Sequence, residues 1–308
     1  MKLFPLPSPF IAGNTVPYYA PIGDMILAFD GESDYVRIPT ADDINFGPQD
    51  DFTVEFWAKP EKEQVYTKHG DNEMVEKWSG TGGYPYAIRY LNQTVTPATD
   101  RGKVIATRFD GDITKLNSAV ISNITIDDGD FHHIAFVRAT GNGTGKLYLY
   151  IDGRLHGGPV DDYATGDTTN DSPLYLGRRG GNPANDDNFF TGQLGRVRIW
   201  QGALTEEQVK ATMYQTLTGK IEFRDQTGKV TAKLVGNWRS DEGYGSLTFD
   251  YAGWNTGLLG GGTAADEPNW VVSTILPPME VIDPIPPHRA RTSNLNEGLK
   301  WAERTLKS

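Results

Sequence analysis

The sequence predicts an all-β protein, an antiparallel sandwich or barrel. Three observations carry that prediction. Short runs of alternating apolar and polar residues recur along most of the chain, the pattern of strands with one buried face. Turn residues separate them, with 35 glycines in 308 residues. Tyr, Phe and Trp, which suit a pleated half-buried surface, number 14, 13 and 7.

The strands follow in order. MILAF (25–29), YVRI (35–38), FTVEFWA (52–58), YAIRYL (86–91), KVIATRF (103–109) and AVISNITI (119–126) each show the alternation. FHHIAFVRA (131–139) and KLYLYIDGRL (146–155) flank a loop rich in Gly and Asn, so they form a hairpin. Within the second run, Asp152-Gly153 is a two-residue turn signal. LYLG (174–177) and QLGRVRIW (193–200) come next. One short helix is predicted from 206 to about 214. Thr205 is its N-cap, Gln208 completes a capping box, and Leu204 with Val209 forms a hydrophobic staple. KLVGNWR (233–239), SLTFDY (246–251) and NWVVS (269–273) read as further strands.

Both ends differ from this body. Residues 1–24 hold Pro5, Pro7 and Pro9, which break any secretory h-region, so no Sec signal is expected. No segment approaches the length of about 18 apolar residues that spans a membrane. The chain is expected to be made in the cytoplasm and displayed extracellularly on a particle or exported by another route. Residues 274–308 begin with a proline-rich linker, which is stiff and extended. It leads to a C-terminal helix capped by Asn294, with Leu295, Leu299, Ala302 and Leu306 on one stripe. Net charge is −11, which argues against broad nucleic-acid or membrane-surface binding. From 288 onward five basic residues face two acids, so this tail is basic on an acidic body. The segments 1–24 and 277–308 can be read as arms for self-association or docking to a larger assembly, or as ordinary solvated ends.

Few features point to chemistry. There is no cysteine, which excludes disulfides and thiol catalysis. The histidines, His69, His132, His133, His156 and His288, show no zinc-site spacing. His132 and His133 lie on one strand and face opposite sides. No GxSxG, Walker loop or GxGxxG fingerprint occurs. A glycosidase needs two carboxylates across the scissile bond, and Glu55 stands alone among hydrophobic strand residues. The chain therefore reads as a non-enzyme.

Two binding chemistries remain. The stretch AFDGESDYVRIP places Asp30, Glu32 and Asp34 close together, as a cation loop or as a tight turn. Loops at 161–171 and 185–188 are further calcium candidates. The segment EKWSGTGGYPYAIRYLNQT places Trp78, Tyr84, Tyr86 and Tyr90 near Lys77, Arg89 and Asn92. Aromatic faces beside polar groups fit sugar rings. Strand parity assigns Tyr86 and Tyr90 to the core, whereas Trp78 and Tyr84 flank glycines and are the surface candidates. The predicted ligand set is Trp78, Tyr84, Arg89 and Asn92.

LAFDGESDYVRIP, DFTVEFWAKP, the hairpin FHHIAFVRATGNGTGKLYLYIDGRL and the run from LYLGRRGG to RVRIWQGALTEEQV resemble, in order and spacing, the laminin-G-like, concanavalin-A-like jelly-roll family. GNWRSDEGYGSLTFDYAGWNTGLLGGG resembles a segment that flanks such domains. The resemblance spans 25–273, the predicted domain. It implies a two-sheet jelly roll that binds glycans or a surface receptor through its loops, and often calcium at the rim. Asp30 matches the family's rim aspartate, and Asp34 is the second candidate. The family usually carries an acid where this chain has Gly195. AFDGESDYVRIP then reads first as a turn, with Phe29 inward and Gly31 at the bend. A structural or adhesive subunit of a cell-surface array or phage-tail-like particle is the alternative function.

Overall fold

A computed structural model of the chain describes residues 25–275, apart from 66, 79, 142–143 and 182–187. The expected arm 1–24, and the linker and helix beyond 275, lie outside the described residues. The strands are β1 Met25–Asp30, β2 Val36–Ile38, β3 Phe52–Pro60, β4 Asp71–Glu76, β5 Tyr84–Leu91, β6 Lys103–Phe109 and β7 Ser118–Thr125. They continue as β8 His132–Ala139, β9 Lys146–Ile151, β10 Arg154–Asp161, β11 Leu174–Leu176 and β12 Thr191–Gln201. After the helix α1, Glu206–Thr212, come β13 Glu222–Arg224, β14 Val230–Trp238, β15 Leu247–Thr248, β16 Gly257–Leu259 and β17 Asn269–Val272.

These form the two-sheet antiparallel jelly roll that the sequence predicts. A nine-stranded sheet runs β10-β9-β8-β3-β12-β1-β17, with β14 and β13 added beside the second half of β12. An eight-stranded sheet runs β15-β16-β2-β11-β4-β5-β6-β7. The core lies between them. Leu27, Val54, Phe56, Phe136, Leu149 and Ile199 from the first sheet meet Val36, Val75, Tyr86, Ile88, Tyr90 and Val104 from the second. The outer face of the nine-stranded sheet is apolar too. There Trp200, Val137, Ala232 and Leu234 are covered by Leu204, Val209 and Leu217 from α1 and its flanks. This explains why β3 is buried along nearly its whole length and reads as an almost continuous apolar run.

The helix start is built as expected. Thr205 accepts a hydrogen bond from the Gln208 amide, Gln208 accepts one from the Thr205 amide, and Leu204 and Val209 are both buried. Three strands were not legible in the sequence, namely β4, β13 and β16. The most consequential is β4, DNEMVE, whose charges hide a strand buried on both faces.

The C-terminal strands close the sandwich beside the N-terminal ones. β17 pairs with β1 and β16 with β2. β12 bulges between Gly195 and Arg198, with Arg196 in left-handed backbone (φ 55°). A Cβ at Gly195 would lie 2.9 Å from Ile26 Cγ1 and 3.1 Å from Ser240 Cβ. A side chain at that position would force Ile26 and Ser240 to shift, so the glycine where the resemblance implies an acid answers to close packing.

The β9–β10 turn has Asp152 and Gly153 both at positive φ, the geometry an Asp-Gly pair supplies. Asp152 Oδ1 accepts the His133 amide at 2.8 Å, and Asp152 Oδ2 lies 2.8 Å from His132 Nδ1. His132 Nε2 is 3.0 Å from Asp128. Burial would lower the His132 pKa, but hydrogen bonds to Asp152 and Asp128 outweigh it and raise it to about 9. A folded pKa above the unfolded one stabilises fully below the unfolded value, near 6.5. That contribution is lost as pH rises through 9. His132→Ala is expected to cost about 1–2 kcal/mol at pH 6 and much less at pH 10, read from urea unfolding at both pH values. An equal loss at both would refute the charged clamp.

Candidate functional site on the eight-stranded sheet

The outer face of the eight-stranded sheet carries a buried ionic cluster. On β5, Tyr86, Ile88 and Tyr90 enter the core, so alternation turns Arg89 outward. β4 is bulged between Glu73 and Val75, opposite Arg89 and Ile88. The bulge lets Met74 and Val75 both join the core while Glu73 and Glu76 both reach Arg89. Arg89 Nε lies 2.7 Å from Glu73 Oε2, and its Nη2 lies 3.0 Å from Glu76 Oε2. Both glutamates are fully buried.

The segment after β11 covers them. Arg179 makes two hydrogen bonds to Glu73 Oε1, at 2.9 and 2.8 Å, and the Gly180 amide donates to Glu76 Oε1 at 3.1 Å. The Glu73 amide donates to the Asn188 carbonyl at 2.9 Å. Beside this clamp, the Arg178 guanidinium lies over Tyr35, Tyr175 and Phe189 at 4.7, 5.4 and 5.5 Å. Burial and the Glu73 charge push the Glu76 carboxyl well above its ordinary value. Burial opposes the Arg89 charge, but Glu73 and Glu76 raise its pKa further. A carboxyl with a raised pKa beside a second carboxyl is the pattern of an acid–base pair. Here the arginines occupy the carboxylate oxygens and close the face, so the chemistry the cluster performs is holding the segment after β11 onto the sheet.

The predicted ligand residues fall around this cluster. Trp78 is half-buried at its edge, with the Arg179 guanidinium 5.8 Å from its ring and Tyr84 5.4 Å away on a tilted ring. Tyr84 was expected at the surface, yet it is only 2% exposed. Trp78 and Phe109 pack its ring, and its hydroxyl pairs with Thr107 at 3.2 Å and Asn117 at 3.0 Å. Arg89 is in the cluster and unavailable to a ligand. Asn92 is buried in a turn, donating to Asn72 Oδ1 at 2.8 Å and accepting the Thr94 amide at 2.8 Å. Of the four, only Trp78 offers surface to a ligand. Sequence reading missed Glu73, Glu76 and Arg179. The trace they leave is two acids in a run too charged to look like a strand, and the Arg178-Arg179 pair after LYLG.

Asp30 and Asp34 are brought together, but to close a turn. Asp30 Oδ1 accepts the amides of Glu32, Ser33 and Asp34 at 2.8, 2.9 and 3.1 Å. Asp34 Oδ2 accepts the Asp30 amide at 2.9 Å. Burial and the Asp30 charge raise the Asp34 carboxyl to about 6. Calcium takes six to eight oxygen ligands. Among the described residues, no three His, Asp or Glu side chains are grouped to hold a metal. Asp30 Oδ1 and Asp34 Oδ2 are thus committed to backbone N–H groups, and Asp30 Oδ2 meets the Ser33 hydroxyl at 3.3 Å, so the pair by itself supplies too few free oxygens for a calcium centre. The same donors explain the acids in this turn.

Comparison with known proteins follows the fold. The model of the concanavalin A-like lectin/glucanases superfamily matches residues 30–210. No curated protein matches the sequence. A solved protein from Bacteroides ovatus ATCC 8483, described as a candidate carbohydrate-binding protein, is similar over 82% of this chain at 16% identity and a TM-score of 0.55. This chain spans 61% of that protein's length. The binding domain of Paraclostridial Mosquitocidal Protein 1 is similar over 63% of this chain and 44% of its own, at 20% identity and a TM-score of 0.44. Domains LG4-5 of the mouse laminin α1 chain are similar over 66% of this chain and 48% of their own, at 17% identity and a TM-score of 0.39. At these identities the likeness is one of fold.

Proposed function

The chain belongs to the concanavalin A-like lectin/glucanases superfamily, and from that premise we propose that it is a non-enzymatic binding module recognising glycans or a surface receptor. The observation that carries this reading is the closure of the carboxylate pair. Glu73 and Glu76 are fully buried beneath Arg89 and Arg179, where a hydrolase would present them to a substrate. What the same face leaves at its rim is Trp78, an aromatic ring beside the Gly80–Gly83 turn and the Arg179 guanidinium. A half-exposed indole beside a cation suits a sugar ring or an aromatic side chain of a receptor.

A glycan array of wild type and Trp78→Ala tests it. Wild type is expected to bind a defined set of oligosaccharides without cleaving them. Trp78→Ala is expected to weaken binding to those seated on this face by about tenfold. Turnover of any bound oligosaccharide would overturn the non-enzymatic reading, and no glycan signal from wild type would remove its glycan half.

A further inference from the structure

A second aromatic surface lies outside the superfamily match, on the loop between β15 and β16. Phe249, Tyr251, Trp254 and Thr256, with Asp250, Ala252 and Gly253, line an open groove of about 460 Å3. That volume is within the range of small-ligand sites. Trp254 is 98% exposed and Phe249 47%. A tryptophan this exposed is unusual, because the residue is highly buried on average.

The loop beneath it is firmly built. Asp250 Oδ1 accepts the amides of Asn237, Ala252 and Gly253 at 2.9, 3.0 and 2.9 Å, and Oδ2 accepts that of Asn255 at 3.3 Å. The fully buried Trp238 donates its indole N–H to the Asn255 carbonyl at 2.7 Å, tying the loop to the core. Arg239 stacks on Tyr251 at 4.1 Å, which orients that ring. An indole in water on a loop so fully hydrogen-bonded contributes nothing to the loop's own packing. The backbone that carries it is held in place before any ligand arrives, which lowers the ordering cost of binding.

We infer that this groove is a carbohydrate subsite for a neutral sugar ring, stacked on Trp254 and flanked by Tyr251 and Phe249. Pyranose rings present an apolar C–H face to aromatics and hydroxyls to the peptide groups of 250–256. The charge nearby selects against anions. Asp43, Asp241, Glu242 and Asp250 lie about the loop, against Lys233 beside Asp43 and an Arg239 committed to Tyr251 and Asp241, so acids outnumber bases there. Sialylated and sulfated glycans, nucleic acid and anionic membranes are all repelled by that field. The inference rests on the glycan-binding reading but names a surface distinct from Trp78.

The test uses the full chain against arrays of neutral β-glucan, mannan and xylan oligosaccharides, with sialylated and sulfated glycans alongside. Wild type, Trp254→Ala, Trp254→Phe and Trp78→Ala are compared, and hits are titrated by calorimetry. At least one neutral oligosaccharide is expected to bind wild type, to lose about tenfold or more in affinity with Trp254→Ala, and to retain most of it with Trp254→Phe. The melting temperature of Trp254→Ala is expected to match wild type. Acrylamide quenching of the Trp254 component, isolated by difference against Trp254→Phe, is expected to fall on binding. Neutral-glycan binding abolished by Trp78→Ala but untouched by Trp254→Ala overturns this inference alone. Binding confined to anionic glycans also overturns it. No glycan binding by wild type overturns it together with the glycan reading.

Discussion

Glu55→Ala is expected to destabilise the fold by about 3–5 kcal/mol, the loss seen when one partner of a buried ion pair is removed. Glu55 is fully buried on β3, on the face turned away from the main core. Its Oε1 accepts the Trp200 indole N–H at 3.0 Å and faces Arg198 Nη1 at 3.3 Å, and its Oε2 lies 3.4 Å from His133 Nε2. Arg198 also donates to the carbonyls of Thr212, the last residue of α1, and Gln215 just after it. One carboxylate therefore ties β3 to β12 and β8, and through Arg198 to the end of the helix. Burial would raise the Glu55 pKa, but His133, Arg198 and Trp200 hold it below the ordinary value. Its contribution is present above the unfolded pKa, near 4.3. It is lost as pH falls through the folded one. Glu55→Gln keeps an acceptor for Trp200 but leaves Arg198 unpaired, so its loss is expected to be intermediate. Urea unfolding at pH 7 measures all three proteins. A loss under about 1 kcal/mol for Glu55→Ala would show that the cluster is neutral to stability, as some exposed pairs are.

Arg89→Ala is expected to cost about 3–5 kcal/mol at pH 8 and distinctly less at pH 5. Without Arg89, Glu73 keeps the Arg179 hydrogen bonds, while Glu76 keeps the Gly180 amide and the more distant Arg179 charge. The Glu76 carboxyl, already held above its ordinary value by burial and Glu73, then resists ionising still more in the folded state. The folded state binds more protons, so stability falls as pH rises. The loss should be concentrated in the covering segment, seen as faster amide exchange at Gly177, Gly180 and Phe190. The neutral set Glu73→Gln, Glu76→Gln, Arg89→Met is expected to recover part of the stability, because the charges that remain, Arg179 and Asp71, lie 3.7 Å apart and compensate each other. Uniform exchange across both sheets with no pH dependence would argue that Arg89 acts through packing alone.

How far the sequence was legible differs between fold and site. Strands with one wet face and one core face, such as β6 and β7, announce themselves by alternation. β4 does not, because alternation cannot distinguish a charge that faces water from one that faces an arginine. Tyr84 shows the same limit from the other side. Its glycine neighbours suggest a surface, and Trp78 and Phe109 bury it. Asp30 was legible in both its roles, and only its three amide donors separate a turn from a cation loop.

The sequence by itself determined the all-β class, the helix start at Thr205 and the Asp152-Gly153 turn, since local periodicity and capping chemistry are written within a few residues of one another, and the order of its motifs, through their resemblance, gave the two-sheet architecture and the family. Tertiary structure alone decided that Glu73 and Glu76 meet Arg89 and Arg179 from three separate stretches. It alone decided that Gly195 packs closely against Ile26 and Ser240, and that Trp254 stands in water while Trp238 fills the core. Those outcomes depend on what arrives from distant parts of the chain, and burial is a property of the neighbours a residue acquires on folding.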